Sequence, residues 1–286
     1  MIPIFGGVPI YSYGVMLGLS FIGGWYLAMA LAKRDGLDPE KIRRCYVQGA
    51  FWAVIGARVL YFVTNPSRMN SWLDFFKVNE GGLVAYGGFL GGLLATWAFC
   101  WKNRIRLLQW ADCAVPSLGL GLACTRIGCF MFGCDFGAPA KVAWAVRFPR
   151  GAPAWDRQLE LGQIVATDAH SLPVHPTQLY ESLNGLLLLG LTLLVRRWRR
   201  FSGEVFLMFF ATYGITRSYI ESLRADTQRG SVGPLSTSQF IGLSSLLVAV
   251  GGYIYLYRRW KADPQAARLW EQPADPGPPP RAKKRR

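Results

Sequence analysis

Three arginines sit where arginine is expensive. Arg58, Arg126 and Arg217 fall within or at the edge of long apolar runs, and a guanidinium at the bilayer centre costs about 2.5–3.5 kcal/mol on insertion scales. Such residues are expected to face the protein interior and to meet an anion there. A guanidinium offers phosphate a planar fork of donors and stays charged at any relevant pH, so Arg126 and Arg217 suit an anionic phosphate. Glu221 follows Arg217 by four residues. One helical face then carries both, and the carboxylate can hold the guanidinium while the site is empty. A structural ion pair without a ligand is the competing reading. Arg58 stays open between binding an anion and snorkelling to an interface.

The arginines belong to a set of five segments that mix polar, glycine and aromatic residues at membrane depth. These are 11–17 (YSYGVML), 56–61 (GARVLY), 81–92 (GGLVAYGGFLGG), 125–137 (TRIGCFMFGCDFG) and 215–226 (ITRSYIESLRAD). In the third, Gly87, Gly88 and their neighbours remove side chains, which permits close helix packing or approach of a bulky ligand to the backbone. The run 175–181 (HPTQLYE) reads as a helix start with Pro176 in the first turn. Its His175 is given a structural turn role, because neither of the two histidines lies in an apolar run. Cysteines 45, 100, 113, 124, 129 and 134 show no CxxC and no Cys/His zinc spacing. They read mostly as small hydrophobes, and neither a metal nor a cofactor is expected.

The elements that must position these residues are membrane helices. Of 286 residues 51% are apolar and 17% charged, against about 25% charged in soluble domains. The mean hydropathy is positive, +0.20. This excludes a disordered chain and makes a soluble enzyme a poor fit. Seven runs approach the roughly 20 residues needed to cross the hydrocarbon core: 9–32, 46–64, 82–101, 111–132, 177–195, 203–222 and 236–257. The net charge of +15 resembles a nucleic-acid signal, but its placement argues against nucleic acid as a partner. Loops 33–45, 102–110 and 196–202 and the segment from Arg258 hold 21 of the 32 basic residues, and the opposite loops hold eight. By the positive-inside rule the N-terminus lies outside and the C-terminus inside, as seven spans require.

The expected architecture is therefore an all-α, seven-helix membrane domain over residues 1–262. It includes a small external subdomain at 133–175, proline-rich and with short β-like pieces such as 142–146. Residues 263–286 are expected to be a disordered basic cytoplasmic tail. No cleavable signal peptide is expected, since residues 1–32 carry no Lys or Arg and the first apolar run is too long for an h-region.

In order, the segments YSYG, GARVLYF, EGGLVAYGGFLGG, TRIGCFMFGCDFG, HPTQLYE and ITRSYIESLRAD resemble those of the bacterial prolipoprotein diacylglyceryl transferases. The resemblance runs from about residue 8 to 257. It implies a multi-pass protein of the bacterial inner membrane. The implied reaction moves the diacylglyceryl group of phosphatidylglycerol to the lipobox cysteine thiol of a preprolipoprotein. Glycerol 1-phosphate leaves and a thioether forms. It also implies that Arg126 binds the lipid phosphate, that Arg217 is a second essential arginine with Glu221 as its acidic partner, and that Tyr13 matters to the reaction. The substrate thiol is the nucleophile, so the enzyme needs none of its own. Arg58, Gly87, Gly88 and Gly137 are expected to contact the lipid.

The chain departs from the family pattern at chemically important positions. Tyr86 stands where the family usually carries histidine, and a tyrosine is a poor base at neutral pH, although it can donate a hydrogen bond. In the arginine-led signature R-x-G-N-F-x-N-G-E, Cys129 and Phe132 replace the asparagines and Cys134 the acid, with Asp135 beside it. Cys129 and Cys134 are five apart and do not share a face of a regular helix, so a disulfide between them requires the chain to turn there. The departures motivate an alternative, a divergent relative that binds an anionic lipid but transfers to another acceptor or not at all. A small-molecule transporter is a further alternative, and the absence of an internal repeat counts against it.

Overall fold

The computed structural model describes residues 2–4, 8–10, 12–69, 71–76, 82–225 and 231–264. The tail expected over 263–286 lies outside them from residue 265 onward, as do Tyr11, Gly81 and Asp226. Eight helices follow one another among the described residues: α1 (Ser12–Arg34), α2 (Pro39–Thr64), α3 (Ala85–Lys102), α4 (Leu107–Phe132), α5 (Pro153–Glu160), α6 (Thr177–Trp198), α7 (Glu204–Glu221) and α8 (Thr237–Ala262). The first apolar run does not start as helix. Residues Ile2–Ile4 (β1) and Val8–Ile10 (β2) pair as an antiparallel hairpin, and α1 begins only at Ser12. A second hairpin, Ser231–Val232 (β3) with Leu235–Ser236 (β4), leads into α8.

Among the described residues five helices are long and apolar enough to cross a membrane: α1, α2, α4, α6 and α8. The two other expected spans are 18 residues each. In α7 the apolar run is interrupted by Glu204, Arg217 and Glu221. Burial is inverted relative to a soluble protein. On α6 Glu181 and Gln178 are fully buried, while Leu183 and Leu187 are 64% and 57% exposed. On α8 Leu247 and Val248 are more than 70% exposed. Apolar surface outside and charges inside is the arrangement a lipid solvent selects.

The chain divides into two units, Met1–Ala28 with Ala111–Ala267, and Met29–Trp110. In the first, Val115 of α4, Leu188 of α6 and Val205 and Phe209 of α7 form a core. The buried carboxylate of Asp112 caps α7, accepting from the Gly203 and Phe206 amides at 2.8 and 2.9 Å, which satisfies donors that a helix start leaves unpaired. A capping box at Ser236 and Gln239 starts α8. The segment between α4 and α6 packs around Phe136, Phe148, Ala154 and Val174. The β character expected at 142–146 is reduced to a single bridge of Val146 with Val174, and α5 is a helix with no counterpart among the expected elements.

In the second unit α2 and α3 pack along glycines. A β-carbon at Gly87 would enter the space of the Gly56 carbonyl and lie 2.6 Å from Leu60 Cβ. At Gly88 it would lie 3.2 Å from the Ala53 carbonyl oxygen. The lipid contact expected at Gly87 and Gly88 meets α2 in that place, so this part of the run serves backbone-to-backbone packing.

Candidate active site

The site grows from the end of α4. The helix stops at Gly133, whose φ of +83° is one that glycine adopts without strain. Three hydrogen bonds close the turn: Cys134 donates its amide to the Cys129 carbonyl at 3.2 Å, and Gly133 donates to the carbonyls of Cys129 at 2.8 Å and Phe130 at 3.2 Å. This is a Schellman cap, which reverses the chain and satisfies the last carbonyls of the helix. Asp135 follows in the left-handed region, φ +59°, where aspartate is tolerated better than most residues. The start of α6 then grips the turn. Thr177 Oγ1 donates to the Asp135 carbonyl at 2.7 Å and Gln178 Nε2 to that of Cys134 at 2.6 Å. Both side chains are fully buried.

Held this way, the Asp135 carboxylate bridges two arginines. Arg126 Nη1 donates to Oδ2 at 2.6 Å and Arg224 Nη2 to Oδ1 at 2.7 Å. Behind them Arg217 pairs with Glu181 and, at 2.7 Å, with Glu221. It also donates to Ser238 Oγ at 3.3 Å. Glu181 lies 3.9 Å from Arg126 Nε, and Glu221 lies 3.8 Å from Arg224 Nε. Three guanidiniums and three carboxylates thus form one network of cancelling formal charge, as an interior without water requires. Exposure is graded across it. The Arg217 and Glu181 side chains are 6% and 0% exposed, against 17% and 16% for Arg126 and Asp135. The Arg126–Asp135 edge is the least buried part of the network.

A family model described as prolipoprotein diacylglyceryl transferase matches residues 1–256. The chain belongs to the prolipoprotein diacylglyceryl transferase family. It is similar to proteins named phosphatidylglycerol–prolipoprotein diacylglyceryl transferase in several bacteria. That of Clostridium tetani is 31% identical over 246 residues, 85% of this chain and 92% of its own. That of Gloeobacter violaceus is 33% identical, covering 89% and 91% of the two chains. That of Pseudomonas aeruginosa is 30% identical, covering 92% and 95%. Members of the family are transferases, and with its apolar helices this chain is a polytopic, all-α membrane protein.

Of the residues singled out in the sequence, Arg126, Arg217 and Glu221 come together in the network. Tyr13, in the first turn of α1, packs against α4 at Gly128, where an added β-carbon would lie 3.1 Å from the Tyr13 Cα. Gly137 shapes the loop rather than opening space. A β-carbon there would lie 2.6 Å from His175 Cβ and 2.9 Å from the Leu223 carbonyl oxygen. That close approach lets Gly137 bridge to Arg224, which brings Arg224 to Asp135. His175 has the turn role expected of it, exchanging main-chain hydrogen bonds with Gly137 and Ala138. Its Nδ1 lies 3.1 Å from the Tyr180 hydroxyl.

Tyr86 and Arg58 belong to the other unit. Tyr86 is in the first turn of α3 and 43% exposed. Arg58 is 4% exposed and spends each nitrogen on a main-chain carbonyl: Nε on Phe75 at 3.0 Å, Nη1 on Gly82 at 2.9 Å, and Nη2 on Asp74. Its guanidinium also lies over the Phe62 ring, 4.8 Å from the centroid. These bonds tie the loop after α2 to the start of α3.

The sequence reading missed Glu181 and undervalued Asp135 and Arg224. Glu181 was detectable, because it is an acid inside an expected span and the rule applied to the arginines covers it equally. From the sequence Arg224 is one of the eight basic residues of the opposite loops, and the Gly137 bridge carries it inward.

Proposed function

We propose that this protein transfers the diacylglyceryl group of phosphatidylglycerol to the lipobox cysteine thiol of a preprolipoprotein, in the inner membrane of a bacterium. The observation that carries the reading is the Arg126–Asp135 edge, the least buried part of an otherwise sealed, charge-balanced cluster. The lipid enters sideways from the bilayer. Its phosphate takes the place of the Asp135 carboxylate on Arg126, exchanging one singly charged oxygen pair for another. The thiol sulfur, having lost its proton, attacks the diacylglyceryl carbon bonded to the phosphate oxygen. The carbon–sulfur bond forms and the carbon–oxygen bond breaks, and the electron pair leaves with glycerol 1-phosphate. A phosphodiester of one negative charge becomes a monoester able to carry two. Arg126, backed by Arg224, faces that developing charge. Arg217, fixed by Glu181 and Glu221, anchors the buried side of the cluster, so only the Asp135 side chain has to move when phosphate binds.

Tyr13 borders the site at Gly128 and orients the lipid headgroup. Tyr86 acts as a hydrogen-bond donor rather than as the base. In this reading α3 and α7 join the five more apolar helices to make seven spans, with the N-terminus outside and the C-terminus inside. The basic loops and the tail then lie in the cytoplasm, and the cluster opens toward the outer leaflet.

The test uses the full chain in phosphatidylglycerol vesicles with a synthetic lipobox peptide. The expected result is a peptide heavier by one diacylglyceryl unit and an equal amount of released glycerol phosphate. An unmodified peptide, or a modified one without glycerol phosphate, would refute the reaction.

A further inference from the structure

The α4 cap does more than end a helix. Cys129 and Cys134, which regular helical spacing would keep on different faces, are brought together by the Schellman turn. The two sulfurs and an Asp135 carboxylate oxygen all lie within 4.8 Å of one another. The Cys134 thiol also reaches the Cys129 carbonyl at 3.8 Å. A metal ion is the first thing such a trio suggests. It fits poorly, because both Asp135 oxygens are already engaged by Arg126 and Arg224, and two guanidiniums repel a cation. The two thiols, by contrast, lie within reach of each other. The arrangement therefore suits sulfur–sulfur chemistry better than metal binding.

We infer that Cys129 and Cys134 form a reversible dithiol–disulfide site that controls how readily Asp135 leaves Arg126. The oxidant is a small disulfide of the glutathione type. Cys134 is the more accessible of the two, since Cys129 is only 7% exposed. The Cys134 thiolate, its proton lost to solvent, attacks one donor sulfur and expels the first thiolate. Cys129, deprotonated in turn, attacks the Cys134 sulfur and expels the second. Two protein thiols and one disulfide become one protein disulfide and two small thiols. The new bond closes across the cap, between the residue that accepts its 6→1 hydrogen bond and the residue that donates it. Asp135 is the next residue. With the turn stapled, its carboxylate is held on Arg126, and the lipid phosphate must displace a tethered competitor. With the thiols reduced, the turn can relax and Asp135 can swing away. The link to phosphate rests on the function proposed above, whereas disulfide formation does not.

The full chain in detergent is treated with dithiothreitol or with oxidised glutathione, alkylated, and digested for mass analysis. The oxidised sample is expected to contain a peptide with Cys129 linked to Cys134, protected from alkylation and released by dithiothreitol. Binding of phosphatidylglycerol is then titrated for both samples, with an expected rise in apparent Kd of three-fold or more on oxidation. Cys134→Ser should bind as the reduced protein does and should not respond to the oxidant, although four other cysteines besides Cys129 remain. Both thiols staying open to alkylation, or either pairing with another cysteine, would overturn the site. A linked pair with unchanged lipid affinity would overturn its control of Asp135. A protein that links and shifts its affinity but transfers nothing would leave this inference standing and refute the proposed reaction.

Discussion

The two units bury arginine in different ways. In the α2–α3 unit, Arg58 gives its three nitrogens to the carbonyls of Asp74, Phe75 and Gly82. Those oxygens belong to the main chain and cannot leave without unmaking the loop. In the other unit, Arg126 is held by Asp135, a side chain with rotatable bonds at the rim of the cluster. A backbone partner makes an arginine part of the fold, while a carboxylate partner at an accessible edge makes it exchangeable. Intramembrane charge is a reliable sign that a residue is used, but the partner decides whether the use is support or chemistry.

Four substitutions test that contrast, taken from the largest expected effect. Glu181→Gln removes the fully buried anion beneath Arg217 and leaves a poorly compensated charge, which costs about 3–5 kcal/mol. A lower midpoint of thermal unfolding in detergent is expected, and an unchanged midpoint would show that Glu221 alone suffices. Arg126→Ala should slow transfer by about 10²–10³, the usual loss for one donor to a developing oxyanion. Its membrane insertion should be intact, as checked by single-turnover assay and membrane fractionation. Arg58→Lys keeps the charge but loses the fork of donors. It should reduce stability by about 1–3 kcal/mol, while the apparent KM for lipid in the folded fraction stays the same. A raised KM with normal stability would move Arg58 from the fold to the site. Trp144→Phe, which removes the 2.6 Å bond to the Tyr180 hydroxyl and part of a largely exposed ring system, should cost about 0.5–1.5 kcal/mol and leave transfer nearly unchanged.

Much of the helical framework was legible because apolar length is a coarse signal that does not depend on partners. The exposed leucines of α6 and α8 are that signal seen in three dimensions. The pairing of Arg217 with Glu221 was also legible, since a spacing of four fixes proximity on any helix. What spacing could not give was the convergence of distant segments. Arg126 and Asp135 are nine apart, and Asp135 and Arg224 are 89 apart. They meet through a cap at Gly133 and a tight passage at Gly137. For Cys129 and Cys134 the helical rule was correct but did not apply, because the helix ends between them. Gly87 could be read as packing or as ligand approach, and only the position of Gly56 on α2 decides between them.

The most direct test of the account is made in cells depleted of their own diacylglyceryl transferase, with a reporter lipoprotein followed by mass. Wild-type protein should add one diacylglyceryl unit to the lipobox cysteine, and Arg126→Ala, present in the membrane at the same level, should leave most of the reporter unmodified. An unmodified reporter with the wild-type protein, or full modification by Arg126→Ala, would contradict the central claim that the Arg126–Asp135 edge of this cluster receives the lipid phosphate.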